Sequence, residues 1–307
     1  GGLCVFDIDA QGEVSGSDER VYSVVPSGEE KLSARVECFR VSPVVRKLYM
    51  ARNPLNETVQ NTLVVYDLNE KGEPTGKPRG YKSGNPHFMI QDMVVDPKGT
   101  FIYTVGWGGA GIFAMPLVKG EPSGEAVSHG VGGQGKISIV PSEKWDAFFL
   151  GTYPSMVESV NIFPGGEVES PGPGVTFAYK AADALIYLPL ARVGRYLYFA
   201  VEGKLFSWPV NSEQHPVDRP QAHPDIKPHS IVTGAHNHLY VVLDDAEMDG
   251  SGKVVVVNHF RIAQYKPDDK GKPGKPIFES QRFERQICGC ITVDEASGLI
   301  YVSSTRQ

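Results

Sequence analysis

Four of the eight histidines fall in three short segments that read as links leading into β-strands. They are Asn85-Pro86-His87-Phe88, Ser128-His129-Gly130-Val131-Gly132-Gly133-Gln134, and His223-Pro224-Asp225-Ile226-Lys227-Pro228-His229. A neutral imidazole takes up or releases a proton near pH 7, so His87, His129 and His229 are candidates for general acid-base work. The plain alternative is surface or packing histidines. Arg52 opens the segment Arg52-Asn53-Pro54. Its guanidinium suits a carboxylate or oxyanion held by two parallel hydrogen bonds, or equally a salt bridge. Asp92 follows Gln91 inside an apolar run, where a strand's period of two turns one of them inward. Facing inward near His87 it would orient that ring; facing a neighbouring sheet it would bond backbone amides. Phe88, Trp107, Tyr153 and Met156, with Glu158 close by, have the character of an organic-ligand pocket wall, and the aromatics also suit packing between sheets.

Other chemistries find less support. The acidic stretch from Asp244 to Gly250 lacks the spacing of a helix-loop-helix calcium site. Cys288-Gly289-Cys290 has no neighbouring Cys or His pair for zinc, and Cys4 and Cys38 complete a set too small for a disulfide scaffold. The Gly-rich segment 106–111 is followed by no helix to present amides to a phosphate, and Gly-x-Ser-x-Gly is missing from any strand-to-helix context. No metal and no cofactor is expected. A net charge of -6 without a basic block argues against nucleic acid, and no apolar run nears the roughly 18 residues a membrane span needs. A soluble protein with a small organic substrate is expected. The lone sequon at Asn56 and the absence of an initiator Met keep secretion open, and oligomeric state is left undetermined.

The elements that must carry these residues are strands. Residues 91–130 hold four apolar runs separated by Pro97-Lys98-Gly99, Gly106-Trp107-Gly108-Gly109 and Lys119-Gly120-Glu121-Pro122-Ser123-Gly124, the signature of an antiparallel meander whose fourth strand is expected at 125–128. Its second run, Phe101-Ile102-Tyr103-Thr104, recurs as Lys47-Leu48-Tyr49-Met50, Ala147-Phe148-Phe149-Leu150, Tyr196-Leu197-Tyr198-Phe199, His238-Leu239-Tyr240-Val241 and Leu299-Ile300-Tyr301-Val302. First-strand runs precede them at 34–41, 91–95, 136–140, 185–190, 229–233 and 287–293. Third strands follow five of the six copies. The missing one lies at the other end of the chain, where Leu3-Cys4-Val5-Phe6-Asp7-Ile8 matches Leu63-Val64-Val65-Tyr66-Asp67-Leu68. The repeat predicts an all-β, six-bladed β-propeller forming one domain over residues 1–307, its last blade begun at 286–307 and completed by residues 1–25. Closing the ring removes exposed sheet edges.

The order of apolar strand, Pro-x-Gly turn, Tyr-bearing strand and Gly-rich turn, as in Asp268-Asp269-Lys270-Gly271-Lys272-Pro273-Gly274, resembles the lactonase-like propellers built from YVTN-type repeats. Those relatives usually have seven blades, against six counted here. In such propellers the first strand of each blade is innermost, and the links into first strands share one face with the loops between second and third strands. The resemblance therefore implies a metal-independent enzyme at one channel mouth. It would open or form a lactone, with His87, His129 or His229 moving the proton and Arg52 fixing an anionic oxygen. A biosynthetic cyclase, for example for a hetero-Diels-Alder closure in an apolar pocket, and a noncatalytic binding propeller are the alternatives. A lectin would repeat its ligand residues, and Trp107 has no counterpart in the other loops.

Overall fold

The computed structural model describes residues 2–7, 20–22, 34–42, 44–54, 62–82, 89–107, 110–134, 136–152, 156–163, 165–169, 176–178, 189–201, 203–234, 237–244, 260–283, 286–294 and 297–305. They form six antiparallel sheets arranged as a six-bladed β-propeller. The first strands of blades 1 to 6 are Ala34–Ser42, Met89–Val95, Lys136–Pro141, Leu190–Val193, Pro228–Thr233 and Gln286–Asp294. Each neighbours the next, and the sixth neighbours the first, so the ring is closed. Blade 6 is shared between the termini, with Gly2–Asp7 hydrogen-bonded to Leu299–Thr305 and Arg20–Tyr22 outside it. Leu3, Cys4, Val5 and Phe6 are all buried there, so removal of apolar surface from water drives the closure.

One repeated device joins the blades, and it uses residues of the sequence repeat. The buried second-strand tyrosine of one blade donates its hydroxyl to a glycine carbonyl in the next blade's third-to-fourth turn. The pairs are Tyr49 to Gly120 at 2.8 Å, Tyr198 to Gly271 at 2.8 Å and Tyr301 to Gly72 at 2.5 Å. Those turns hold their shape because Asn69 and Asp268 each accept two backbone N–H groups through a side-chain oxygen. The turn glycines have φ near +80°, +76° and +73°, which a side chain would strain. Blade 3 has Phe149 instead of tyrosine, and its cross-strand partner Ser159 supplies the hydroxyl, donating to the Gln214 carbonyl of blade 4 at 3.3 Å.

Two boundaries differ from expectation. In blade 2, Glu121–Pro122 and Val127–Gln134 both pair with the third strand Ala110–Val118, so the glycine-rich segment is outer strand as well as link. In blade 4 the described first strand is Leu190–Val193, and most of the expected run 185–190 lies outside the described residues.

Candidate active site at the channel mouth

In blades 1, 2, 3, 5 and 6 the pairing of first with second strand slips near the start of the first strand, between Val36 and Cys38, Ile90 and Asp92, Lys136 and Ser138, Pro228 and Ser230, and Ile287 and Ile291. Such bulges insert extra residues and re-aim their side chains. Where pairing resumes stand Cys38, Asp92, Ser138 and Ser230, with Cys290 the last residue of the slip in blade 6 and Pro189 at the matching place in blade 4. All six are buried and line the channel. They form a girdle, because an acceptor at this position takes a backbone N–H from the following blade. Asp92 Oδ2 accepts from Ile139 N at 3.0 Å, Ser138 Oγ from Leu190 N at 3.1 Å, and Cys290 Sγ from Phe39 N.

Asp92 is the charged member. Its Oδ1 accepts from Arg40 Nη2 at 2.6 Å and Met93 N at 2.8 Å, and its Oδ2 from Ile139 N and, at 3.2 Å, from Ser138 Oγ. Four bonds fill a carboxylate's acceptor positions. Burial pushes the carboxyl upward, and Arg40 and the amides pull the other way. Of the two roles expected for Asp92, these bonds match the one toward a neighbouring sheet: its acceptor capacity is spent tying blades 1, 2 and 3 together. Burial also raises the thiols, Cys38 well above its ordinary value and Cys290 to about 12, so both stay protonated and unreactive near neutral pH.

The girdle is a floor. The channel leaves about 10 Å³ in which a water centre can lie, the scale of a single molecule. Immediately above it, toward the mouth, the bulges place Glu37 of blade 1, Gln91 of blade 2 and His229 of blade 5, all half-buried. Met89, one strand position nearer the rim than Ile90, is 43% exposed and stands opposite Trp107. Met156 begins the third strand of blade 3, opposite Thr152. Trp107 and Met156 are thus at strand ends on the mouth side. His87, Phe88 and Tyr153 lie outside the described residues.

The other expected site residues are dispersed. His129 sits in the outermost strand of blade 2, opposite Ile112, three strand spacings or roughly 14 Å from the first strand. Its Nδ1 accepts from Val168 N of blade 3 at 3.4 Å, and burial lowers its pKa against the pull of Glu167. It joins outer edges and does not share the mouth. Arg52 pairs with Val36 and Thr62 within blade 1 and is 2% exposed, so its guanidinium is buried within the blade. Glu158 is half-buried on the third strand of blade 3, two strands from the channel. Sequence reading missed Glu37, Arg40 and the girdle. The signal lay in the small or polar residues Cys38, Asp92, Ser138, Ser230 and Cys290, each just before an apolar residue in otherwise apolar runs. Among the described residues no three His, Cys, Asp or Glu side chains gather as a metal site.

No protein-family model matches the chain, and no curated protein matches it. Solved structures do. A candidate 6-phosphogluconolactonase of Bacteroides uniformis is 16% identical, with a TM-score of 0.58 over 92% of this chain and 81% of that one. A second, of Bacteroides fragilis, is 10% identical, with a TM-score of 0.56 over 92% and 98%. A protein of Lactobacillus plantarum is 14% identical, with a TM-score of 0.56 over 92% and 82%. Identities this low establish the fold alone, and at that level the resemblance read from the repeats holds: the chain is similar to lactonase-like propellers along most of its length.

Proposed function

We propose that the chain is a lactonase-type enzyme acting on a small organic molecule at the channel mouth, with His229 moving the proton. The observation that carries this reading is the sealed floor. With about 10 Å³ free in the channel, an organic molecule has to rest above the girdle, where Glu37, Gln91 and His229 stand. The likeness to candidate 6-phosphogluconolactonases supports the reaction class, although a propeller fold by itself hosts many functions.

In this mechanism the His229 imidazole takes a proton from water as the water oxygen bonds to the lactone carbonyl carbon. The carbonyl oxygen becomes an oxyanion, to which the Gln91 carboxamide donates. Collapse breaks the ring carbon-oxygen bond, the imidazolium returns the proton to the leaving alkoxide, and a hydroxy acid is released. Glu37 accepts from substrate hydroxyls. The Asp92 bonds beneath hold the first strands of blades 1 and 2 together, so Glu37 and Gln91 are preorganised.

A second reading has its own support. The exposed Met89 at the start of the first strand of blade 2 puts an apolar side chain on the rim, which suits a ring-closing biosynthetic enzyme. The experiment is proton release from a panel containing γ-butyrolactone, gluconolactone, 6-phosphogluconolactone and an acyl-homoserine lactone. Turnover of at least one, above the rate in buffer, is expected. Binding at the mouth without turnover would favour the cyclase, and ligands found only on the outer rim would favour a noncatalytic binding propeller.

A further inference from the structure

The turns joining first to second strands lie on the face opposite the mouth. Each carries one residue at positive φ: Arg46, Gly99, Trp145, Gly194, Asn237 and Gly298 in blade order. In the other blades these turns are long, with four residues between the paired Ser42 and Lys47 of blade 1 and five between Thr233 and Leu239 of blade 5. In blade 4 Val193 pairs with Tyr196, so only Gly194 and Arg195 remain between them. A longer turn can send a side chain onto the next blade. Val45 lies against Gly120 of blade 2, and Ser297 of blade 6 against Gly72 of blade 1. The blade 4 turn reaches blade 5 through the Arg195 side chain, and a Cβ added at Gly194 would meet nothing within 4 Å. A groove of about 430 Å³ is left between blades 4 and 5, walled by Arg195, Tyr196, Asn237, Pro267, Asp268 and Asp269. That volume is in the range of small-molecule sites.

The charges in the groove are arranged but not satisfied. The Arg195 guanidinium lies 5.5 Å from the Tyr196 ring centroid, and its Nη2 donates to the Asp269 carbonyl at 3.2 Å. Tyr196 is fixed in turn, its ring against Gly271 and its hydroxyl donating to the same carbonyl at 3.1 Å. Among the described residues no carboxylate pairs with Arg195 and no cation with the Asp269 carboxylate. Asp268 is turned back into its own loop, accepting from Lys270 N and Lys272 N at 2.9 Å each. A lone anion would meet the two carboxylates, and a lone cation would meet Arg195.

We infer that this groove binds a small zwitterion, its carboxylate on the Arg195 fork and its ammonium on Asp269, with the Asn237 amide as a neutral partner. The inference is independent of the chemistry at the mouth, because the two sites open on opposite faces. It is tested by following the backbone amides of the ¹⁵N-labelled protein during titration with γ-aminobutyrate, butyrate and butylamine. The expected result is a saturable shift at Gly194, Asn237 and Asp269 with γ-aminobutyrate, and none with butyrate or butylamine at the same concentrations. Arg195→Gln and Asp269→Asn, each with an otherwise unchanged spectrum, are expected to weaken the binding by about ten-fold or more. Equal binding of butyrate, shifts scattered over the surface, or no saturation would overturn the inference. So would unchanged affinity in both variants.

Discussion

Asp92 shows how far residue type can mislead about role. Its sequence position is compatible with catalysis, but its four hydrogen bonds, one of them from the half-buried Arg40, make it a blade staple. Asp92→Asn would remove the negative charge that Arg40 bonds and set an amide NH2 against the Met93 or Ile139 N–H, at a cost of about 3 kcal/mol. Urea unfolding of the variant should show that loss; a midpoint equal to that of wild type would contradict the staple. His223 and His129 make a second point. His223 is buried and shares a 2.9 Å hydrogen bond with Ser207, and burial holds both imidazoles below their ordinary value. As pH falls, the unfolded chain therefore takes up these protons before the folded one. Stability present above about pH 6.5 should drain away in the window below it, down to each folded value. The urea midpoint should fall between pH 7 and pH 5, and His223→Gln should flatten that fall. A slope as steep as wild type would count against the assignment. For His229 it is the place at a bulge that singles it out.

At the scale of elements, strands and turns were readable and bulges were not. The tyrosine and the turn glycine recur in sequence because each needs the other across a blade boundary: Tyr49, Tyr198 and Tyr301 reach Gly120, Gly271 and Gly72. Where Phe149 breaks the pattern, Ser159 carries the contact. Ser159→Ala should cost about 1 kcal/mol, and adding Phe149→Tyr should restore much of it, since the new hydroxyl would reach toward the carbonyl that Ser159 served. Thermal unfolding of the pair checks this, and a double variant no better than Ser159→Ala would refute the equivalence. The slip that exposes Glu37 has no comparable mark. One extra residue in a strand depends on what the neighbouring blade offers, and apolar alternation does not record it. The segment Val127–Gln134 was misread for a related reason: its glycines look like a link, while pairing with Ala110–Val118 makes it a strand.

For the whole molecule, the repeat foretold six blades and a ring closed by both termini, because burial and edge removal act over the full length of the chain. The site was less legible, since the channel that collects one residue from each blade exists only once the ring has closed. That geometry separates histidines which the sequence had placed together: His229 falls at a first-strand bulge of blade 5, and His129 in the outer strand of blade 2. The most direct measurement compares His229→Ala and His129→Ala with wild type on the best lactone of the panel. His229→Ala should lower kcat/KM by about 100-fold to 1,000-fold, while His129→Ala stays within about two-fold. Unchanged turnover in His229→Ala would contradict the account of the mouth as the catalytic site.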